Sequence, residues 1–442
     1  MGPGKARGAL KMTKSLIVGS VLSVVSNAAS PALAQCQGSW TVYYANSDSS
    51  ESTYDTEGLL MLGSTAIGFV GARAAAWPDP SNLWQDITPA NVAWASARSA
   101  TTDYVAGSFS PTVSGNARAC RWDTVSGTLT SLHKSSWISS EVLGASGVQQ
   151  VGIYIPTSTA NFQACLWNSS SASFVDLHPL GAVNSMATGT NGLQQIGRAY
   201  LNGGVRACLW TGTAASLVDL TPPGVVHAWG QAIYGSQQVG FIQRAGDGGT
   251  HAAMWFGTRE SFVDLNPPGS ENSTIMATCG QYQVGQAMLN GVNSAYLWRS
   301  SPNDGVDLQS LTVGFNGSRA EGVSVVGRDV YVCGWGNTFG GRHRAVIWVY
   351  RDGADCDDDG ISDTCEIQSG APDANHNGIP DSCECPGDIT DGGTVDAADL
   401  SILLAAWGTN GQAEFETDID GSGLVDGGDL GIVLGGWGLC PQ

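Results

Sequence analysis

One tryptophan returns at nearly constant spacing through most of the chain, and that period limits the folds open to it. Trp77, Trp122, Trp167, Trp210, Trp255, Trp298 and Trp348 each close a short apolar run, at intervals of 45, 45, 43, 45, 43 and 50 residues. The clearest runs are Ala164-Cys165-Leu166-Trp167, Ala207-Cys208-Leu209-Trp210 and Ala252-Ala253-Met254-Trp255. Nine residues after each of the first six tryptophans stands a second marker: Asp86, Ser131, Asp176, Asp219, Asp264 and Asp307. A glycine closing an apolar pair supplies a third: Gly63, Gly107, Gly152, Gly197, Gly240, Gly285 and Gly334. A period of about 44 residues with several short strands per repeat is the mark of β-propeller blades. Leucine-rich repeats are shorter, and helical solenoids would carry a 3.6-residue apolar period that is missing. The 60 glycines and 13% charged residues fit a mainly β chain with many turns.

The ends of the array are informative. Nine residues after Trp348 lies Asp357, in a run of aspartates that cannot form an outer strand. The seventh repeat therefore lacks its last strand. In most repeats the second marker precedes the next glycine by 21 residues, and counting 21 back from Gly63 lands on Val42, within Trp40-Thr41-Val42-Tyr43-Tyr44. The expectation is a seven-bladed β-propeller over residues 35–350 whose N-terminal strand completes the last blade. Such closure leaves no seam of unpaired backbone groups. The recurring Trp reads as packing between blades, and the recurring Asp as a partner for a turn. In up-and-down blades the longer loops 154–161, 244–251 and 337–344 open on one face, with Arg342, His343 and Arg344 as its basic cluster. A ligand is expected there, although a solvated loop is the plainer reading of the cluster. No Gly-x-Ser-x-Gly elbow, His-Glu-x-x-His helix or phosphate loop occurs.

The N-terminus reads as an export signal over residues 1–34. Lys5, Arg7, Lys11 and Lys14 precede an apolar stretch from Leu16 to Val25, and Ala32-Leu33-Ala34 supplies a small-x-small cleavage site. A secreted product with no membrane span is expected. The net charge of −20 is unevenly placed: residues 352–442 hold 20 of the 39 acidic residues and no Lys or Arg. The other 19 acidic residues balance all 19 basic ones, so the repeat region is formally neutral. An acidic tail argues against nucleic acid as a partner.

Spacing within that tail points to cations. Asp355, Asp357, Asp359, Asp363 and Glu366 take positions 1, 3, 5, 9 and 12 of a loop with Gly360 at position 6. Asp373, Asn375, Asn377, Asp381 and Glu384 repeat the arrangement around Gly378. Asp418, Asp420, Ser422, Asp426 and Asp429 form a third copy; Asp388, Thr390, Asp396 and Asp399 form a looser one, with Gly392 at position 5. This is the oxygen-ligand order of a calcium loop. Carboxylates about 5 Å apart at an effective dielectric near 20 repel by roughly 3 kcal/mol per pair, so crowding calls for a divalent cation. A solvated disordered tail is the alternative. The last two loops each lead into a helix with an apolar stripe: Leu400, Leu403, Leu404, Trp407 and Leu430, Val433, Leu434, Trp437. Neither stripe suits an isolated helix, so a packed pair is expected.

These motifs carry a resemblance. Residues 386–442 resemble a type I dockerin, whose duplicated loop-helix units bind calcium and dock a cohesin. Residues 351–385 resemble thrombospondin type 3 repeats. The resemblance implies calcium as cofactor and a cohesin-like or cell-surface protein as partner. At loop positions 10 and 11 the chain has Ala397-Ala398 and Gly427-Gly428, where dockerins carry hydroxylated recognition residues. Cys385 and Cys440 bracket the dockerin-like pair and are expected to bond, as are Cys365 with Cys383 and Cys36 with Cys356. Cys120, Cys165 and Cys208 hold equivalent blade positions and read as buried thiols.

Two functions follow as expectations. The first is a secreted calcium-binding modular protein, non-catalytic, with the propeller as binding scaffold and the tail for docking or surface assembly. The alternative is a polysaccharide-degrading hydrolase or lyase with a catalytic propeller, anchored by the same tail. Both admit a carbohydrate ligand. Paired carboxylates in a cleft would favour the second.

Overall fold

The computed structural model describes residues 39–44, 56–62, 65–78, 84–246, 248–327, 329–351, 363–372, 380, 383, 385, 387–390, 394–411, 417–420 and 422–439. The chain divides into two compact units, one spanning the repeats and one the tail.

The repeat unit is a seven-bladed β-propeller of seven four-stranded antiparallel sheets. Blade IV shows the plan: inner strand Ser185–Thr190, second strand Gln195–Leu201, third strand Gly204–Trp210 and outer strand Val218–Asp219. In blade VII the first three strands are Phe315–Val326, Asp329–Thr338 and His343–Arg351, and the outer strand is Ser39–Tyr44. The N-terminal strand thus closes the ring as the ends of the array require. Tyr44 reinforces the join: its hydroxyl accepts from the Val313 backbone N–H at 2.8 Å, and its ring lies 5.6 Å from that of Phe315.

Each marker has a mechanical reason. All seven tryptophans are at most 1% exposed. Trp122 and Trp298 donate their indole N–H to the Ile87 and Leu265 carbonyls of the preceding blade, both at 2.8 Å. The indoles of Trp77, Trp167, Trp210 and Trp255 are buried without an acceptor, so there apolar packing outweighs a lost hydrogen bond. The recurring aspartate folds a turn: Asp176, Asp219 and Asp264 each accept the backbone N–H two residues on, at 2.8, 2.8 and 3.0 Å.

The marker glycine sits where the inner strand bulges. Gly152 faces Val142 beside the register shift between Val142 and Gly144. A Cβ on Gly152 would fall 1.9 Å from the Glu141 carbonyl oxygen, so no side chain fits. In blade I this position belongs to Gly68, which pairs with Gly58 beside a shift and with Ala75, two residues before Trp77. Gly63, expected from sequence counting, is not that glycine. Blade I turns its second hairpin in two residues, Gly71-Ala72, which shortens the interval to Trp77. The count that led to Val42 therefore started five residues early, yet it reached the strand that closes the ring.

Two further repeated polar groups lock the blades. Buried Gln150, Gln195, Gln238 and Gln283 each accept a backbone N–H from the end of the third strand or the turn after it, at 2.7–2.9 Å. Ser140, Ser185, Ser273 and Ser318 on inner strands accept the N–H of Ala119, Ala164, Ala252 and Ala295 in the preceding blade, at 2.9–3.0 Å. Buried polar groups satisfied in this way cost little and fix register.

The tail unit holds helices α1 (Asp363–Gln368), α2 (Ala397–Ala405) and α3 (Gly427–Gly435). Asp396 and Asp426 cap α2 and α3, each in a reciprocal capping box with Asp399 and Asp429. The two nine-residue helices pack as a pair around Val395, Leu403, Val425 and Val433, none more than 1% exposed. Thr394–Val395 pairs with Gly438–Leu439, joining the ends of this pair. The expected apolar stripes split: Leu404, Trp407, Leu434 and Trp437 remain 46–54% exposed. Among the described residues no helix is long and apolar enough to cross a membrane.

Candidate metal centre and channel cavity

The loop before α3 gathers its carboxylates. Asp418, Asp420 and Asp429 each offer an oxygen, and the three lie within 4.8 Å of one another. Their geometry is set by the backbone. Asp429 is fully buried; one oxygen accepts from Ile419 N–H at 2.7 Å and Asp420 N–H at 3.1 Å, the other from Asp426 N–H at 2.8 Å. Burial alone would raise its pKa, but these N–H donors more than offset it and hold the carboxyl below the usual range. Asp418 accepts from Gly423 N–H at 2.8 Å through one oxygen, while its other oxygen is buried without a hydrogen-bond partner. Asp420 accepts from Ser422 N–H at 3.0 Å. Ser422 Oγ donates to the Leu424 carbonyl at 3.2 Å, and Asp426 serves as the helix cap.

The loop before α2 is built alike in part. Buried Asp399 accepts from Thr390 N–H and Oγ1, both at 2.9 Å, and from Asp396 N–H at 2.8 Å. As with Asp429, the donors overcome burial and keep its pKa low. Thr390 also reaches Asp388 at 3.4 Å. Among the described residues, only the loop before α3 brings three carboxylates together. Of the earlier loops, Asp363 is buried and Asp363 and Glu366 lie on α1. Asp355, Asp357, Asp359, Asp373, Asn375, Asn377, Asp381 and Glu384 lie outside the described residues. An all-oxygen donor set rich in carboxylate suits a hard cation of calcium's size.

Among the cysteines, Cys120, Cys165, Cys208 and Cys333 are buried free thiols and Cys279 is a partly buried one. Burial pushes the Cys165 and Cys333 thiols well up, so they stay protonated. Cys383 and Cys385 are disulfide-bonded. Cys36, Cys356 and Cys440 lie outside the described residues.

The propeller carries a cavity of about 430 Å³ lined by inner-strand residues of six blades, Arg98, Leu143, Met186, Gln231, Met276 and Glu321 among them. It therefore sits on the propeller axis. Arg198, from a second strand, also lines it. Sequence reasoning placed a ligand at the loop face and did not single out this channel. The basic cluster at that face is not a simple solvated loop. His343 begins a strand and stacks on Trp335, ring centroids 3.9 Å apart at 13°. Trp335 in turn donates to Glu321 Oε1 at 3.1 Å, and Arg319 Nε meets the same oxygen at 2.9 Å. Glu321 is the sole carboxylate of the lining among the described residues.

No family model matches the chain, and no curated protein matches it. Solved structures match it at low identity. A prolyl endopeptidase structure is 8% identical with a TM-score of 0.46, over 67% of this chain and 50% of that one. TolB from Acinetobacter baumannii is 10% identical with a TM-score of 0.39, over 58% and 63%. The β-propeller domain of the Trilobed protease from Pyrococcus furiosus is 11% identical with a TM-score of 0.39, over 55% and 78%. The chain thus spans about half of the endopeptidase it matches. None of these likenesses bears on activity.

Proposed function

We propose that this is a secreted calcium-binding modular protein, in which the propeller is a binding scaffold and the dockerin-like tail docks it to a cohesin-like or cell-surface partner. One observation carries the calcium reading: Asp418, Asp420 and Asp429 converge within 4.8 Å, with one Asp418 oxygen buried and unpartnered. Three carboxylates so placed repel strongly, at roughly 3 kcal/mol per pair, and a divalent cation turns that cost into coordination. The half-exposed Leu404, Trp407, Leu434 and Trp437 support a docking role, since each equivalent helix, with the residues just after it, leaves one apolar pair outside the core.

The binding-scaffold reading of the propeller is supported by its channel. Glu321 is held by Arg319 and Trp335 rather than set opposite a second acid, so among the described residues the lining does not form the paired carboxylates a glycosidase uses. Calcium titration of the full chain by calorimetry tests the tail. Saturable heat together with a rise in the tail's melting temperature is expected. No heat, with melting unchanged by chelator, would reduce the tail to an acidic appendage.

A further inference from the structure

We propose that the propeller channel binds a small dianion, a solute whose two negative charges sit on carboxylate or phosphate oxygens, with Arg198 and Arg98 as its contacts. This rests on the reading of the propeller as a binding scaffold and gives that scaffold a ligand class.

Arg198 follows the marker glycine Gly197 on the second strand of blade IV and lies opposite Met186. Its neighbours on that strand, Gln195, Ile196, Gly197 and Ala199, are buried, and Arg198 itself is only partly exposed. The guanidinium has no hydrogen-bond or ion-pair partner among the described residues. Its burial lowers its proton affinity, and no nearby carboxylate counters this. Four other arginines of the propeller are compensated: Arg73 pairs with Asp86, Arg244 with Asp264, Arg299 with Asp304 and Arg319 with Glu321. A partly buried charge without a partner is costly, and the cost is relieved when a counter-charge arrives.

The cavity wall has the matching imbalance. Glu321 is neutralised by Arg319, which leaves partly buried Arg198 and exposed Arg98 as lining cations without an ion pair among the described residues. Two cations call for a ligand carrying two anionic groups or one doubly charged group. Guanidinium groups suit such oxyanions because their planar donors engage two oxygens at once. The volume of about 430 Å³ admits a solute of monosaccharide size. Met186, Met276 and Leu143 supply apolar wall for its carbon frame.

The test is calorimetric titration of the full chain in calcium at low ionic strength, with propeller melting followed in parallel. The probes are succinate, glucose 6-phosphate and, as controls, glucose and chloride. Both dianions are expected to bind and raise the propeller transition, while glucose and chloride do neither; the tighter dianion identifies carboxylate or phosphate as the preferred group. In Arg198→Gln, affinity should fall at least about tenfold, which corresponds to roughly 1.4 kcal/mol. Arg198→Lys should retain part of it, and Arg98→Gln should show a smaller loss. The propeller of Arg198→Gln should melt no lower than wild type, because the change removes a buried charge. Absence of binding by either dianion, or equal binding by Arg198→Gln, would overturn the proposal. Calcium binding measured in the same samples separates the outcomes, since its loss would sink the tail's role and leave the channel result standing.

Discussion

The propeller and the tail are both built by repetition, but they place their repeated polar side chains in opposite situations. In the propeller, Gln150, Gln195, Gln238 and Gln283 and the clamp serines each meet a backbone N–H, so these buried amides and hydroxyls find partners within the protein. In the tail, the repeated residues are carboxylates, and in the loop before α3 three of them face one another. The first arrangement closes on itself, whereas the second crowds like charges. The size of the apolar core differs as well. Four residues form the buried centre of the helix pair, whereas each blade interface buries a tryptophan and its own apolar cluster.

This contrast can be broken most severely at the seam. Deleting residues 39–44 leaves the third strand of blade VII as a bare edge, each lost backbone hydrogen bond costing about 1 kcal/mol. The expected result is loss of the cooperative propeller transition by calorimetry, with calcium binding by the tail retained. Gly152→Ala should cost about 1–3 kcal/mol or more in chemical denaturation, because the new methyl group meets the Glu141 carbonyl. Gly181→Ala, at a positive-φ turn with open space around it, should cost less.

Much of this was legible because propeller markers hold a fixed register. The Trp period, the aspartate turns and the missing outer strand all follow from spacing alone. The first glycine was misassigned because blade I shortens a hairpin, and spacing is blind to where a residue is removed. The glutamine clamps did leave a signal, a Gln two residues before Gly152, Gly197, Gly240 and Gly285. The channel left no such repeat: of the residues that follow a marker glycine, Ser108, Ile153, Arg198, Phe241, Gln286 and Trp335, only Arg198 lines it. Convergence of six strands on one axis is a tertiary fact that no local pattern contains. In the tail, the heptad-like stripe could not tell Leu403, which is buried, from its neighbour Leu404, which is half-exposed.

The tail responds in sign as well as size. Asp420→Asn should weaken calcium binding by about tenfold, since ligand charge sets affinity in such loops. The same variant should make the calcium-free tail melt higher, because one repulsive carboxylate is gone. Equal melting of both forms would show that the three acids are not in strain.

The smallest expected effect lies within the propeller, between equivalent aspartates of adjacent blades. At Asp264, burial is outweighed by hydrogen bonds from His251, Asn266 N–H and Arg244, so its folded pKa is depressed. Its stabilisation is present above the unfolded value near 4 and is lost as pH falls through the folded one. At Asp307, burial dominates and raises the pKa, so it favours the fold more as pH falls through that raised value. Asp264→Asn should therefore flatten the acid side of the stability profile, and Asp307→Asn should steepen it, in urea titrations between about pH 3 and 6.

Central to the proposed function are a propeller that stands without ions and a tail that needs them. Differential scanning calorimetry of the full chain in calcium and then in chelator tests this directly. Two transitions are predicted, with chelator lowering or abolishing that of the tail and leaving that of the propeller in place. Two transitions that both ignore chelator, or a single one that shifts as a whole, would contradict it.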